Sequence, residues 1–338
     1  MTTLAKWLRI AASALVALVA VLAGIALWLW QVRPDLSDLG WPVAEPIIDA
    51  ADAVTVTWLG VTTLLIDDND TQILIDGWFS RPRVGNHLIG KFSTDIANVN
   101  FVMASFHIDR LAAIVPVHSH FDHAMDVGIV ANRSSAVVLG SESTANIARG
   151  ADLPVEQYQI LANGESRSFG NFEVTLIVSK HAPLAGNDST WMAGTIEEPL
   201  KQPARRSDWK EGQSYSILVA HPRGTVLIQG SAGFIKGNLN SVSADVVMLG
   251  VGGLSTLGRD YAAEYWRETV TAVGANRIYP LHYDDFTRPF GEVALPPRIL
   301  DDVAATARWI NDMAVSGDSF DDPPDIQLLP FGKRVILY

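Results

Sequence analysis

Residues 114–126 read IVPVHSHFDHAMD, and this stretch decides how the rest of the chain is interpreted. An apolar run is followed by three of the chain's eight histidines within six positions, with an aspartate between the second and third. The apolar run predicts a buried strand, so His118 and His120, two residues apart, point to the same side where it ends. The turn that follows carries Asp122 and His123 to an adjacent position.

These residues have the chemistry of metal ligands. Imidazole nitrogens and carboxylate oxygens bind zinc and its first-row neighbours. The motif needs a further ligand from elsewhere, and two distant histidines have a suitable setting: His181 ends the predicted strand TLIVSKH and His282 ends RIYPLH. Site residues collect at such loop positions on a rigid scaffold. His87, His107 and His221 have no such setting and are interpreted as surface or hydrogen-bonded histidines.

Composition narrows the range of partners. The net charge is −12 and no run of Lys or Arg occurs, which argues against a nucleic-acid partner because such partners need a basic surface. The chain has no cysteine, so it uses no disulfide and carries no lipid-modified N-terminal cysteine. That composition is compatible with an oxidising compartment.

The N-terminus predicts a membrane anchor. Residues 10–30 carry no charge and would span about 30 Å as a helix, the thickness of a bilayer's hydrocarbon core. Lys6 and Arg9 outweigh Arg33, which places the N-terminus in the cytoplasm and the rest in the periplasm or outside the cell. The alternative is a cleaved secretion signal, because Gly24-Ile25-Ala26 is a passable cleavage site.

The chain divides into a cytoplasmic tip and anchor (1–31), a Pro- and Asp-rich linker (32–53) and one large domain (54–338). Within the domain, three short strands come first and a hairpin is predicted over residues 214–229. Helices are predicted around residues 261–273 and 298–313. Strands and helices alternate without a repeat, which favours a sheet core flanked by helices.

A resemblance adds to this interpretation. The hexamer HSHFDH at residues 118–123 resembles the HxHxDH signature of the metallo-β-lactamase fold hydrolases. The segments TWLGVTTLLID and ILIDGWFS resemble the opening strands of that superfamily, particularly of its lactonase-like and N-acyl-phosphatidylethanolamine phospholipase D-like branches. The likeness covers most of residues 54–286. It implies an α/β fold, a four-layer αββα sandwich, preceded here by one transmembrane helix.

The resemblance also implies a ligand set for one or two Zn²⁺ ions, or for another divalent first-row metal. The first ion would be held by His118, His120 and His181. The second would be held by Asp122, His123 and His282. Asp122 would in addition accept or pass a proton during catalysis.

Asp76 and Ser231 also belong to the expected site. Asp76 resembles a family residue that supports the ligands from behind, whereas Asp284 and Asp285 are either similar supports or solvated loop carboxylates. Much of the family has a metal-bridging aspartate where this chain has Ser231, in the sequence Gly-Ser-Ala-Gly. Its loss lowers the negative charge of the site and leaves open whether one ion or two are bound.

The resulting expectation is a hydrolase acting outside the cytoplasm on an ester, lactone or phosphodiester. A small-molecule or lipid-like substrate is expected, with a lid over residues 184–214 that carries Trp191 and Trp209. The alternative is a non-catalytic metal- or ligand-binding protein whose site has degenerated at Ser231. The oligomeric state stays open.

Overall fold

The computed structural model describes residues 3–48, 53–82, 90–184, 189–316 and 322–338, so His87 lies outside the described residues. Helix α1 (Thr3–Gln31) comes first. By length and composition it is able to cross a bilayer, and its most apolar window is not buried inside the protein. A long apolar helix near the N-terminus is typical of a membrane anchor or of a signal sequence.

The sandwich is built from many short elements. The other α-helices in the described residues are α2 (Ile96–Ser105), α3 (Phe121–Ala124), α4 (Val127–Ser134), α5 (Glu142–Gly150), α6 (Leu254–Leu257), α7 (Arg259–Trp266), which continues as a π-helix (Arg267–Thr271), and α8 (Val303–Ser316). The strands are β1 (Thr55–Trp58), β2 (Leu64–Asp67), β3 (Gln72–Ile75), β4 (Lys91–Phe92), β5 (Leu111–Val115), β6 (Val137–Gly140), β7 (Tyr158–Ile160), β8 (Glu165–Phe169), β9 (Phe172–Ser179), β10 (Ala204–Arg205), β11 (Ser214–His221), β12 (Gly224–Gln229), β13 (Val246–Gly250), β14 (Arg277–Leu281), β15 (Asp325–Ile326) and β16 (Arg334–Ile336).

Two seven-stranded sheets form the centre. The first has the order β16-β1-β2-β3-β5-β6-β7 and the second β15-β14-β13-β12-β11-β9-β8. Strands β1 to β3 are an antiparallel meander, whereas β3, β5, β6 and β7 run parallel. The predicted hairpin pairs His221 with Gly224. Because β5, β6 and β7 are parallel, their carboxyl ends share one edge of the sheet.

The central strands, such as β3 and β13, are apolar on both faces because both faces are covered. In β3, Ile73 and Ile75 face the core between the two sheets, and Leu74 faces the helices on the outer side. The side chains of α7 and α8, such as Trp266 and Ile310, pack on the second sheet. Buried parallel strands read as continuous apolar runs for this reason. The four-layer αββα arrangement expected from the sequence is confirmed.

Part of the segment between α1 and β1 packs on the domain. Leu39 and Trp41 are buried, and the Trp41 indole Nε1 donates to Asn311 Oδ1 of α8 at 2.8 Å. Ala44 donates its N–H to the Leu328 carbonyl at 2.9 Å. The proposed linker is thus tied to the domain at several points.

The last long helix begins later than the sequence indicates. The prediction began at Arg298, but α8 starts at Val303. The Arg298 N–H donates to the Val32 carbonyl at 3.0 Å, and Asp301 accepts from Gly253 N at 2.7 Å. These tertiary hydrogen bonds hold residues 298–301 outside the helix.

Candidate metal centre

The motif lies where β5 leaves the first sheet. Val117 donates its N–H to Asp76 Oδ1 at 2.8 Å, and its carbonyl accepts from Tyr215 N of the second sheet at 2.9 Å. The Ser119 N–H donates to the Glu211 carbonyl at 2.9 Å. The backbone that carries His118 is therefore fixed by both sheets and by the long loop before β11.

The first group of ligands consists of His118, His120 and His181, whose candidate ligand atoms all lie within 4.8 Å of one another. His118 Nε2 and His120 Nδ1 are 2.9 Å apart. The His181 Nδ1 atom lies 2.8 Å from the Ala182 carbonyl, which leaves its Nε2 atom for a metal. The structure thus brings together the three predicted ligands of the first ion.

The electrostatics of this group favour neutral imidazoles. Burial and the neighbouring rings lower the pKa of His118 well below its usual value. The same causes lower the pKa of His120 to about 3, and burial lowers the pKa of His181. Neutral imidazole is the form that binds a metal.

The second group consists of Asp122, His123 and His282, again with ligand atoms within 4.8 Å of one another. Asp122 and His123 lie in the short helix α3, and His282 directly follows β14. Asp122 Oδ2 is 3.6 Å from the Nε2 atoms of both histidines. Burial raises the pKa of Asp122, but His123 and His282 outweigh it and hold the pKa below its usual value.

Asp76 supports the second group, as the sequence predicts. Its side chain is fully buried, and its Oδ2 lies 2.7 Å from His123 Nδ1. The Thr62 hydroxyl also donates to this carboxylate. Burial disfavours the charged form of His123, but Asp76 and Asp122 outweigh it and raise the pKa of His123. A carboxylate behind a histidine fixes the ring's orientation and increases its basicity as a ligand.

The backbone around the second group is strained. Val61, Asp76 and His282 have φ values of 51°, 59° and 57°. This region is uncommon for residues with a side chain, and most of all for a β-branched one. Val61 is held by Asp284, whose carboxylate accepts from Val61 N at 2.9 Å, while the Val61 carbonyl accepts from His282 N at 3.0 Å. Asp284 is thus a buried support rather than a solvated carboxylate.

Ser231 lies at the edge of the centre but has a structural partner. Its Oγ accepts the Ala182 N–H at 3.0 Å, directly beside His181. The backbone at Lys180 lies so close to Gly233 that a Cβ on Gly233 would be 2.2 Å from the Lys180 carbonyl oxygen. The serine therefore positions the loop that carries His181.

The ligand set fits a metal on its own chemistry. In the described part of the chain, Asp122 Oδ1 and His118 Nδ1 are buried and have no hydrogen-bond partner. A buried carboxylate oxygen without a partner is costly unless a cation or water satisfies it. Two ring nitrogens that face each other at 2.9 Å are likewise suited to a shared cation. The six ligand atoms present nitrogen and oxygen donors of the kind that first-row metals prefer.

A cavity of about 130 Å³ opens over both groups. Two of its walls are aromatic: Trp191, whose ring centre is 6.0 Å from that of His120, and Phe286, 6.2 Å from His282. The sequence indicated Trp191 through the tryptophan-bearing loop, whereas Phe286 was missed because nothing in its local sequence marks it. Trp209 of the same loop is fully buried.

The two other histidines of the described residues, His107 and His221, are not part of the centre. His107 is exposed, and its carbonyl accepts from Gln72 Nε2 at 2.9 Å. The His221 ring packs on Phe172 with ring centres 5.1 Å apart. Asp285 is likewise not solvated, since it binds Arg33 at 2.6 Å.

Comparisons with known proteins agree with this geometry. The model of the beta-lactamase superfamily domain matches residues 55–282. A UPF0173 metal-dependent hydrolase of Pyrobaculum aerophilum is 24% identical over 242 residues, which cover 68% of this chain and 84% of that protein. One of Roseobacter denitrificans is 23% identical over 239 residues, covering 68% and 86%.

A solved structure shows the same fold. CmlA, a diiron β-hydroxylase from Streptomyces venezuelae, superposes with a TM-score of 0.51 at 12% identity, covering 86% of this chain and 55% of that chain. The family expected from the HSHFDH hexamer is confirmed. The chain therefore belongs to the beta-lactamase superfamily and has the metallo-β-lactamase fold.

Proposed function

We propose that the protein is a metal-dependent hydrolase that cleaves an ester, lactone or phosphodiester bond. The observation that carries the proposal is the convergence of two three-ligand groups on one cavity. A divalent ion bound there supplies a water of lowered pKa and polarises the oxygen of the bond under attack. The similarity to proteins named metal-dependent hydrolases supports the same reaction class.

The chain's own residues have distinct tasks in this reaction. Asp122 is ionised at neutral pH because the neighbouring imidazoles lower its pKa. Its proposed task is to accept a proton from the attacking water and pass it on. Trp191 and Phe286 line the cavity and contact the apolar part of the substrate. Asp76 keeps the His123 ring oriented throughout.

Zinc is the metal we propose, in one or two ions. Five imidazoles and a carboxylate suit Zn²⁺, but imidazole suits iron, copper and nickel as well. CmlA, which shares the fold, is a diiron protein. Ser231 provides no bridging carboxylate, so the second ion would be held by one carboxylate and two imidazoles.

The proposal places the reaction beside a membrane. Helix α1 acts as an uncleaved anchor with its N-terminus in the cytoplasm, and the hydrolase domain lies in the periplasm or outside the cell. The alternative is a signal sequence removed after export. A substrate that is small or lipid-like fits either location.

The test is metal analysis combined with turnover in detergent-purified full-length protein. Ester, lactone and bis-(p-nitrophenyl) phosphate substrates should reveal an activity that chelators abolish and Zn²⁺ restores. His120→Ala should remove this activity, while His221→Ala, a histidine far from the cavity, should keep it. Chelator-resistant turnover, or an unaffected His120→Ala protein, would contradict the proposal.

A non-catalytic binding protein is the second candidate, and the absence of a bridging aspartate at Ser231 favours it. Such a protein would bind the metal with the same ligands but show no turnover on any of these substrates. Stoichiometric metal without chelator-sensitive hydrolysis would support this candidate.

A further inference from the structure

The point where α1 ends is fixed to the catalytic domain. Arg33, two residues after the helix, donates from Nη1 to Asp285 Oδ2 at 2.6 Å and to the Leu295 carbonyl at 2.7 Å. The Val32 carbonyl accepts from Arg298 N at 3.0 Å. The C-terminal end of α1 is therefore not joined to the domain by a flexible linker. Residues of loop 285–298 bind directly to the two residues that follow this helix.

Exposed apolar side chains surround this exit. Ile299 is 58% exposed, Leu300 is 51% exposed, and Leu36, a few residues after α1, is 37% exposed. Ile299 follows Arg298, which touches Val32, and neighbouring Cα atoms are about 3.8 Å apart. We call Leu36, Ile299 and Leu300 the anchor-side patch. Its residues are close in sequence to Arg33 and Arg298, the two residues that join the end of α1 to the domain.

Charge on this side of the molecule is mixed. Arg298 lies 3.9 Å from Asp38, and Arg288 lies 3.7 Å from Asp285. Arg33, Arg288 and Arg298 share the two carboxylates Asp38 and Asp285, so the basic excess among these residues is small and attracts anionic lipid only weakly. Any contact with a membrane must therefore come mainly from the apolar side chains.

The patch is also connected to the walls of the metal cavity. Asp301, next to Leu300, accepts from Gly253 N at 2.7 Å and from Ser255 Oγ at 2.6 Å, and Gly252 lines the cavity. Asp285, which binds Arg33, precedes the wall residue Phe286. Two residues that line the cavity, Gly252 and Phe286, are thus sequence neighbours of residues that hydrogen-bond to the segments carrying Leu300 and Arg33.

We infer that the anchor-side patch rests in the headgroup layer of the bilayer, so that the metal cavity opens at the membrane surface and receives amphipathic substrates from it. The inference rests on the proposed function in one respect, the retention of α1 as an anchor. An apolar patch beside a membrane helix gains free energy by entering the interface, as amphipathic surface helices do. The contact is independent of lipid charge because the patch itself is uncharged.

The absence of cysteine makes a direct test available. Ile299→Cys and Val155→Cys each create a single thiol in the full-length chain. Val155 is 73% exposed and precedes the start of β7, so it lies at the sheet edge opposite to the cavity. Both proteins are labelled with an environment-sensitive fluorophore and reconstituted into phosphatidylcholine nanodiscs.

The expected result is blue-shifted emission of the label at position 299 and quenching by lipids brominated near the headgroup, with neither effect at position 155. Equal, water-like emission at both positions would overturn the inference. So would contact between labels of two copies without lipid quenching, since the patch would then be a protein interface. Chain that fails to enter nanodiscs would overturn it as well.

The measurement needs no enzymatic turnover. Failure of the hydrolase assignment would appear as absent chelator-sensitive activity with the lipid contact intact. Failure of the present inference would appear as unquenched label on an active enzyme.

Discussion

The two ligand groups differ in what holds them. The first group has three imidazoles, and its His118 Nδ1 has no hydrogen-bond partner within the described residues. The second group has a carboxylate, and His123 is backed by the buried Asp76. The imidazoles of the first group are therefore neutral, the form that binds a metal ion. The metal affinity of the second group depends instead on its charged members and on the Asp76 carboxylate behind His123. From this difference we expect the two groups to bind their metal ions with unequal affinity and to respond differently to mutation and pH.

The largest expected effect comes from Asp122→Asn. The substitution keeps the shape of the side chain but removes its charge and its capacity to accept a proton. We expect kcat to fall by about 10²–10⁴-fold, with loss of the second ion and retention of the first. Metal stoichiometry and steady-state kinetics check this. Asp260→Asn, at an exposed position of α7, is the control, and loss of the first ion instead of the second would break the comparison.

The next effect comes from Asp76→Asn. The amide still accepts from Val117 but no longer balances charge on His123, so affinity of the second group should fall by about 10–100-fold. Chelator competition measures the affinity of each group. The matched control is Asp126→Asn, another fully buried carboxylate, which accepts from Phe79 N and Ser80 N and touches neither group. An equal loss in both proteins would show that Asp76 acts only through general stability.

Acidification should separate the two groups. The pKa of His120 is about 3, so protons compete poorly for the first group. The pKa of His123 is raised, so as pH falls through that pKa a proton takes its Nε2 atom and the second group loses affinity. Below this pKa the apparent affinity drops by about tenfold per pH unit. Equilibrium dialysis between pH 8 and pH 5 should show that the second group loses its ion at a higher pH than the first group does. If the first group loses its ion at the higher pH, the prediction is wrong.

The smallest expected effect comes from Ser231→Asp. A carboxylate at the edge of the cavity should tighten the second ion by about threefold to tenfold, the scale of one partly screened charge contact. Ser231→Asn is the matched control, because it adds the same bulk without the charge. Metal titration of both proteins checks the change. Equal affinity in the two variants would show that this position lies too far from the second ion to bridge.

Much of the centre could be predicted because its chemistry is local in sequence. The HSHFDH hexamer supplies four ligands within six positions. The expected strand alternation of His118 and His120 is wrong, because β5 ends at Val115 and both histidines lie in the bends before the short helix α3. His181 and His282 could be added because each ends a recognisable strand. The meander, the hairpin and the layered fold follow from apolar runs broken by turn residues.

What escaped prediction depends on contacts between distant segments. Arg33 and Asp285 are 252 positions apart, and no local pattern marks either as a partner of the other. The strained φ of Val61 is stabilised by Asp284, again from far along the chain. The late start of α8 has the same origin, since Asp301 bonds to another loop in place of continuing a helix.

The hydrogen bonds of Asp76 to Val117 and of Ser231 to Ala182 join protein groups to protein groups. The scaffold thus orients Asp76 and the loop that carries His181 through its own hydrogen bonds. A preshaped imidazole cage ranks divalent ions by intrinsic affinity, in the Irving–Williams order, so the supply of ions where the chain matures selects its occupant. The same polypeptide, matured under two regimes of metal supply, would therefore emerge as two chemically different catalysts on one unchanged framework.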